Sequence, residues 1–344
     1  MSLVFIDGFD HYASSDTTDK YPIENGGNID TVEPRTGLGC LKMTGATTHI
    51  TITVAAKATY IVGFGIKLDG DTNSDAEDLV TFYEDSYGLE SQVSLQYTGD
   101  KKFRVVRGDE VIAQAVLGET TDQFDLNDGW HYIEFKAFIN DTTGSFEVRF
   151  DEENILSAIN VDTKVALAEA DEIKHIRISR IETTVPTTFI DDLYVCDTTG
   201  IKNNDFLGDC QVHTIFPKAD GALEDWATQA GTDSFAMVDE NPPDDDTTYV
   251  QSNVTTEKDS FDMDDVAGMT TILGVQLIEY AKFVTGSAGI NHLTRVGGNN
   301  FIGADTTLTS AYLFYMNIWE DDPDISSAWT PTGLNAAEFG MEVV

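Results

Sequence analysis

At 344 residues, 41% of them hydrophobic and 10% aromatic, the chain is long enough for two packed cores and too apolar to be disordered over most of its length. Sixty acidic residues against 20 basic ones give a formal net charge of -40, which excludes nucleic acid and an anionic membrane surface as partners. Such a surface suits a salty or calcium-containing medium or acids that bind metal, with plain solubility as the bland alternative.

The opening Met1 to Asp7 lacks the basic region and long apolar core of a secretory signal, and no stretch approaches the roughly 18 apolar residues that span a bilayer. The expectation is a chain made in the cytoplasm and not secreted by the usual route. Leu3 to Ile6 reads as an entry strand, followed by a polar loop to Asn28. From Gly39 to Val54, Leu41, Met43, Ile50, Ile52 and Val54 alternate with polar residues, which predicts half-buried antiparallel strands.

Tyr60 to Leu68 is the strongest strand of the first half, and Gly63 and Gly65 within it suggest close approach of a facing sheet. Asp69 to Asp75 approximates a calcium loop without matching one. Thr98-Gly99-Asp100 and Asn140 to Thr143 each join two strand-like runs and predict hairpins. Ile173 to Ile178 and Phe189 to Val195 complete a first domain. Val165 to Glu172 offers one helical turn. Short strands with frequent turns and almost no helical period point to a sandwich.

The second half begins near Gly200. Val212 to Pro217 reads as an edge strand stopped by proline. Lys218 to Lys258 is poor in strand signals and long for a structureless connection, so an ordered arm or interaction loop is expected. Strands return at Thr270 to Phe283, His292 to Val296 and Tyr312 to Trp319. Thr330-Pro331 predicts a helix cap ahead of a short turn over Leu334 to Phe339, and Gly340 to Val344 a last strand. The fold class is therefore all-β, two β-sandwich, jelly-roll-like domains in tandem: residues 1–198, then 199–344 with an irregular arm over about 218–258.

No triplet of acids alternates along one strand, as paired-carboxylate sugar hydrolysis would need. Asp191 and Asp192 are neighbours and should point to opposite faces of their strand. Metal binding is better supported: Asp7, Asp10, Asp191 and Asp192 lie in the first and last strands of the first domain, where hard oxygen ligands suit calcium and would staple the domain's ends. Solvated acids at strand ends are the alternative. The six histidines are scattered, His131 beside Trp130 reading as packed, and no serine or cysteine has the context of a nucleophile. Cys40, Cys196 and Cys210 lack metal-ligand spacing; Cys196 and Cys210 are close enough in sequence to pair, with buried thiols the favoured reading.

Phe5 to Asp10, Gly129-Trp130-His131-Tyr132-Ile133-Glu134 and Ile190-Asp191-Asp192-Leu193-Tyr194-Val195 resemble the concanavalin A-like, laminin-G-like jelly-roll sandwiches. Phe206 to Asp209, Trp226, Asp244 to Val250, Lys258 to Phe261 and the tail from Asp321-Asp322-Pro323 to Trp329-Thr330 are similar to a set in virion structural proteins of tailed bacteriophages. That resemblance implies a virion location and a non-enzymatic role as a capsid decoration, head fibre, tail or collar appendage. Its partners would be other phage structural proteins and copies of itself. The alternative it implies is a module that binds host surface glycan with calcium assistance.

Overall fold

A computed structural model describes residues 1–21, 24–45, 47–70, 76–84, 91–108, 114–165, 170–181, 187–286 and 288–344; Glu24 and Asn25 are described by their backbone. The expected helical turn from Val165 and the loop from Asp69 to Asp75 fall largely outside these residues. The all-β class stands, since strands dominate and, among the described residues, the α-helices are the single turns Thr17–Lys20 and Pro331–Leu334. Two compact units form, one of Met1–Asp10 with Ser14–His213, the other of His11–Ala13 with Thr214–Val344.

The first unit contains an eight-stranded and a seven-stranded antiparallel sheet. In the larger sheet Thr187–Asp197 is central. One side pairs with Thr59–Asp69, and the other pairs with Cys40–Met43 and Leu3–Asp7, so the first and last strands of the unit are neighbours. His131–Phe138 follows on the far side of Thr59–Asp69, joined to Gly144–Phe150 by the expected hairpin. The second expected hairpin joins Ser91–Tyr97 to Phe103–Arg107 in the other sheet.

Alternation along His131–Phe138 sends Ile133, Phe135 and Ala137 inward and Tyr132, Glu134 and Lys136 outward. Phe135 stacks on Phe82 of the opposite sheet, with centroids 5.1 Å apart and planes 3° from parallel. Both rings are fully buried and mark the centre of the core. The first unit runs to His213, past the expected junction at 198/199, because residues 205–212 hydrogen-bond onto the outer face of this sheet.

The second unit has a five-stranded sheet in the order Pro217–Glu224, Lys258–Met263, Glu338–Val343, Gly289–Val296, Asn299–Thr307. It also has a separate ribbon in which Val275–Ala281 pairs with Leu313–Trp319. Val266, Val296, Trp329, Leu334 and Phe339 form its core, with Val275, Leu277 and Trp319 of the ribbon packed against them.

Three expectations change here. The edge strand starts at Pro217 instead of ending there, where a residue without an N–H is tolerated at a sheet edge. The arm contributes that strand and a short ladder of Ala227–Thr228 with Val250–Gln251. Thr330 does cap the helix, its hydroxyl accepting from Gly333 N, but the turn closes at Leu334 and the last strand begins at Glu338.

Candidate functional site

The outer face of the eight-stranded sheet carries a group of buried polar side chains that includes Glu134, Asp191 and Asp192. Its organising feature is a bulge. The register of Thr187–Asp197 against Thr59–Asp69 shifts between Asp191 and Tyr194, and Asp192 sits at φ +51°, where Asp is among the few residues tolerated. Strict alternation is thereby broken, and the expectation that Asp191 and Asp192 point to opposite faces is corrected. Both carboxylates converge on the Arg35-Thr36 segment.

Asp191 accepts from the backbone N–H groups of Arg35 at 2.8 Å, Thr36 at 3.2 Å and Asp192 at 2.8 Å. Asp192 accepts from Arg35 Nη1 at 2.5 Å, Thr36 Oγ1 at 2.6 Å and Val212 N at 2.7 Å. Burial first, and then the neighbouring Asp192 charge, push the Asp191 carboxyl up to about 8, against the backbone donors that favour its ionised form. The Arg35 guanidinium continues outward to Asp209 and to the Cys210 carbonyl at 3.0 Å, and lies 5.1 Å from the Tyr132 ring centre.

A second buried group adjoins it. The Tyr194 hydroxyl donates to Glu134, and the Gly208 N–H donates to the same Oε1 at 2.9 Å. Leu207 N donates to the Tyr194 hydroxyl at 3.2 Å, and Tyr132 donates to the Asp192 carbonyl at 3.0 Å. Glu134 Oε2 is buried without a hydrogen-bond partner. Burial holds the Glu134 acid above the ordinary carboxylate range, although Tyr194 and Gly208 pull the other way.

Residues 205–212 thus form a strap across the sheet. Asp205 pairs with Lys136 at 2.9 Å, and Phe206 lies beneath Arg149, whose guanidinium carbon is 4.0 Å from the ring centre. Arg35 carried no sequence signal of its own, and Tyr132, Glu134 and Tyr194 stand in the strands that carry the jelly-roll resemblance without any role assigned to them there. An acid and a tyrosine at outward positions beside core-facing Ile133 and Phe135 were the available hint.

The two glycines of Thr59–Asp69 serve this face. A Cβ on Gly63 would lie 2.2 Å from the Tyr194 ring, and one on Gly65 2.5 Å from Arg35 Cδ. The close approach comes from side chains of the outer face, in place of the facing sheet expected from sequence. Gly63→Ala is expected to cost about 1–3 kcal/mol by overpacking, read as a lower urea midpoint at unchanged slope.

Asp7 and Asp10 do not join Asp191 and Asp192 in one cluster of oxygens. Asp7 takes Phe9 N at 2.8 Å, Tyr21 Oη at 2.5 Å and Lys20 Nζ at 3.0 Å. Asp10 takes Leu38 N at 2.5 Å and Gly39 N at 2.9 Å. Among the described residues no group of three or more His, Cys, Asp or Glu side chains is placed to hold a metal ion. The four acids hold loops to strand ends through N–H and O–H donors. The three cysteines are unbridged, Cys40 and Cys196 buried and Cys210 half-buried.

No protein family and no curated protein matches the chain. Solved structures similar to part of it include the cellulose-induced protein Cip1, at 14% identity and TM-score 0.38, covering 51% of this chain and 88% of that one. Trypanosoma rangeli sialidase matches at 16% identity and TM-score 0.33 over 49% of this chain and 26% of that one. A carbohydrate esterase from Shiga toxin-encoding bacteriophage phi24B matches at 15% identity and TM-score 0.35 over 56% and 99%. These neighbours include enzymes, and one is phage-encoded. The expectation of a non-enzymatic chain, which the resemblance to virion structural proteins implied, is therefore withdrawn; the neighbours' activities are not transferred at this level of similarity.

Proposed function

We propose that the chain is a structural component of a tailed-phage particle, a capsid decoration, head fibre, tail or collar appendage, that assembles with copies of itself through its second unit. The observation that supports this reading is the incomplete cover of that unit's apolar strands. In the ribbon Ile278, Leu313 and Met316, which are not among the residues packed on the unit's core, are only half-buried. On the edge strand Asn299–Thr307, Ile302 is 41% exposed. The central strands of the first unit, by contrast, are closed: from Tyr60 to Ile66 every residue is buried. Apolar area left in this condition is stabilised by a second surface at about 25 cal/mol per Å² removed from water.

The charge opposes association, since like copies of a -40 chain repel. Salt screens that repulsion without weakening apolar burial, so assembly should strengthen as ionic strength rises. Light scattering coupled to size exclusion is expected to show a discrete homo-oligomer whose population grows from low to high salt. A monomer at every salt concentration would overturn the self-assembly reading, and absence of the chain from purified particles would overturn the virion assignment.

A further inference from the structure

In the second unit one carboxyl and one imidazole are buried face to face with no hydrogen bond between them. Glu279, on Val275–Ala281 of the ribbon, is 7% exposed, and His292, on Gly289–Val296 of the sheet, is 1% exposed. His292 Nε2 is 3.6 Å from Glu279 Oε2. Neither Glu279 oxygen nor His292 Nε2 has a hydrogen-bond partner. The imidazole bonds to the backbone of Tyr315, the cross-strand partner of Glu279, which leaves Nε2 as the nitrogen turned to the carboxyl. An unsatisfied carboxyl at the most buried position of its strand is costly, and such groups call for an explanation.

We propose that Glu279 and His292 form a one-proton latch between ribbon and sheet, which loosens the second unit when that proton is lost or a second one is gained. With one proton between them, carried by Glu279, the pair is neutral. Loss of the proton leaves a lone carboxylate in the core; gain of another leaves a lone imidazolium.

Among the described residues, the charged groups on the elements that carry the pair are engaged elsewhere. Burial raises the Glu279 acid and lowers the His292 imidazole, the Tyr315 backbone pulling the imidazole the other way. On the ribbon side Lys282 is paired with Asp246, and Tyr315 Oη is taken up by Thr309 N. His11 packs edge-on against Phe314, next to Tyr315 and so on the other ribbon face. On the sheet side Lys258 pairs with Glu342, and Glu338 is held by Ser260 and Arg295. Asp305 lies across from Asn291, which alternation turns away from His292.

The direction of the pH dependence follows. Burial raises the Glu279 carboxyl, so its share of stability is complete below the unfolded value of about 4.3 and is lost as pH rises through the folded value. Burial lowers His292, so its share is complete above about 6.5 and is lost as pH falls. Between those two values the slopes offset, and stability of the second unit falls on either side.

The test uses the full chain carrying Trp130→Phe, which leaves Trp226, Trp319 and Trp329, all in the second unit, as fluorescent reporters. Glu279→Gln cannot ionise. The ratio of unfolding constants, latch-intact over Glu279→Gln, is expected to rise about tenfold per pH unit above about 6.5 until the folded carboxyl titrates. Parallel pH profiles for the two proteins would overturn the proposal. Should Glu279→Gln not fold, imidazole nitrogen NMR of the intact chain decides: His292 is expected to stay Nδ1-protonated and neutral from pH 5 to 8, whereas ordinary titration near about 6.5 would overturn the latch.

Discussion

Replacing Asp192 by alanine is expected to lower the first unit's thermal midpoint by about 6–20 °C. The change removes the buried partner of the Arg35 guanidinium, whose side chain is only 12% exposed, and leaves it the more exposed Asp209 carboxylate and the Cys210 carbonyl. It also leaves Thr36 Oγ1 and Val212 N without their acceptor. Breaking one side of a buried pair costs about 3–5 kcal/mol, and each kcal/mol moves the midpoint of a domain of this size by about 2–4 °C. Asp192→Asn separates charge from shape, since asparagine tolerates the left-handed backbone at this position and keeps an acceptor oxygen. A smaller loss is expected from it. Because the carboxylates are already held by N–H and O–H donors, both losses should appear with and without added calcium. Calorimetry of the full chain checks this; a midpoint unchanged by Asp192→Ala would return the network to surface decoration.

Phe135→Ala is expected to cost the first unit about 3–5 kcal/mol, the loss of a buried ring plus the cavity left behind. The site cannot collapse easily, because Phe135 sits in the middle of a central strand whose partners on both sides are fixed by the ladder. Its stacking partner Phe82 belongs to the opposite sheet, so the substitution removes contact between the layers. Denaturant unfolding is the measurement. A shift below about 1 kcal/mol would mean that the two sheets are not held together at this point.

The class of the fold was legible because strand periodicity is local. Ile133, Phe135 and Ala137 alternate with polar neighbours, and that alone predicts one buried face. The hairpins at Thr98 to Asp100 and Asn140 to Thr143 were legible for the same reason, since turn chemistry resides in the turn. The strap was not. Residues 205–212 show no strand pattern and nothing in their spacing names Lys136, Glu134 or Arg35 as partners; only contacts between residues far apart in sequence place them.

The misread pair Asp191 and Asp192 shows the boundary most sharply. Sequence by itself identified two acids in the closing strand of the first unit; the pairing of that strand with Leu3–Asp7 was established by the structure. Their side-chain directions were decided by a bulge, which has no signature in composition and depends on how Thr59–Asp69 registers against this strand. Likewise Glu279 and His292 are ordinary residues in ordinary strands until the ribbon closes on the sheet. Local alternation determines which residues can be buried; tertiary packing decides which buried charges meet, because electrostatic partners are chosen by distance in space and by the water that burial removes.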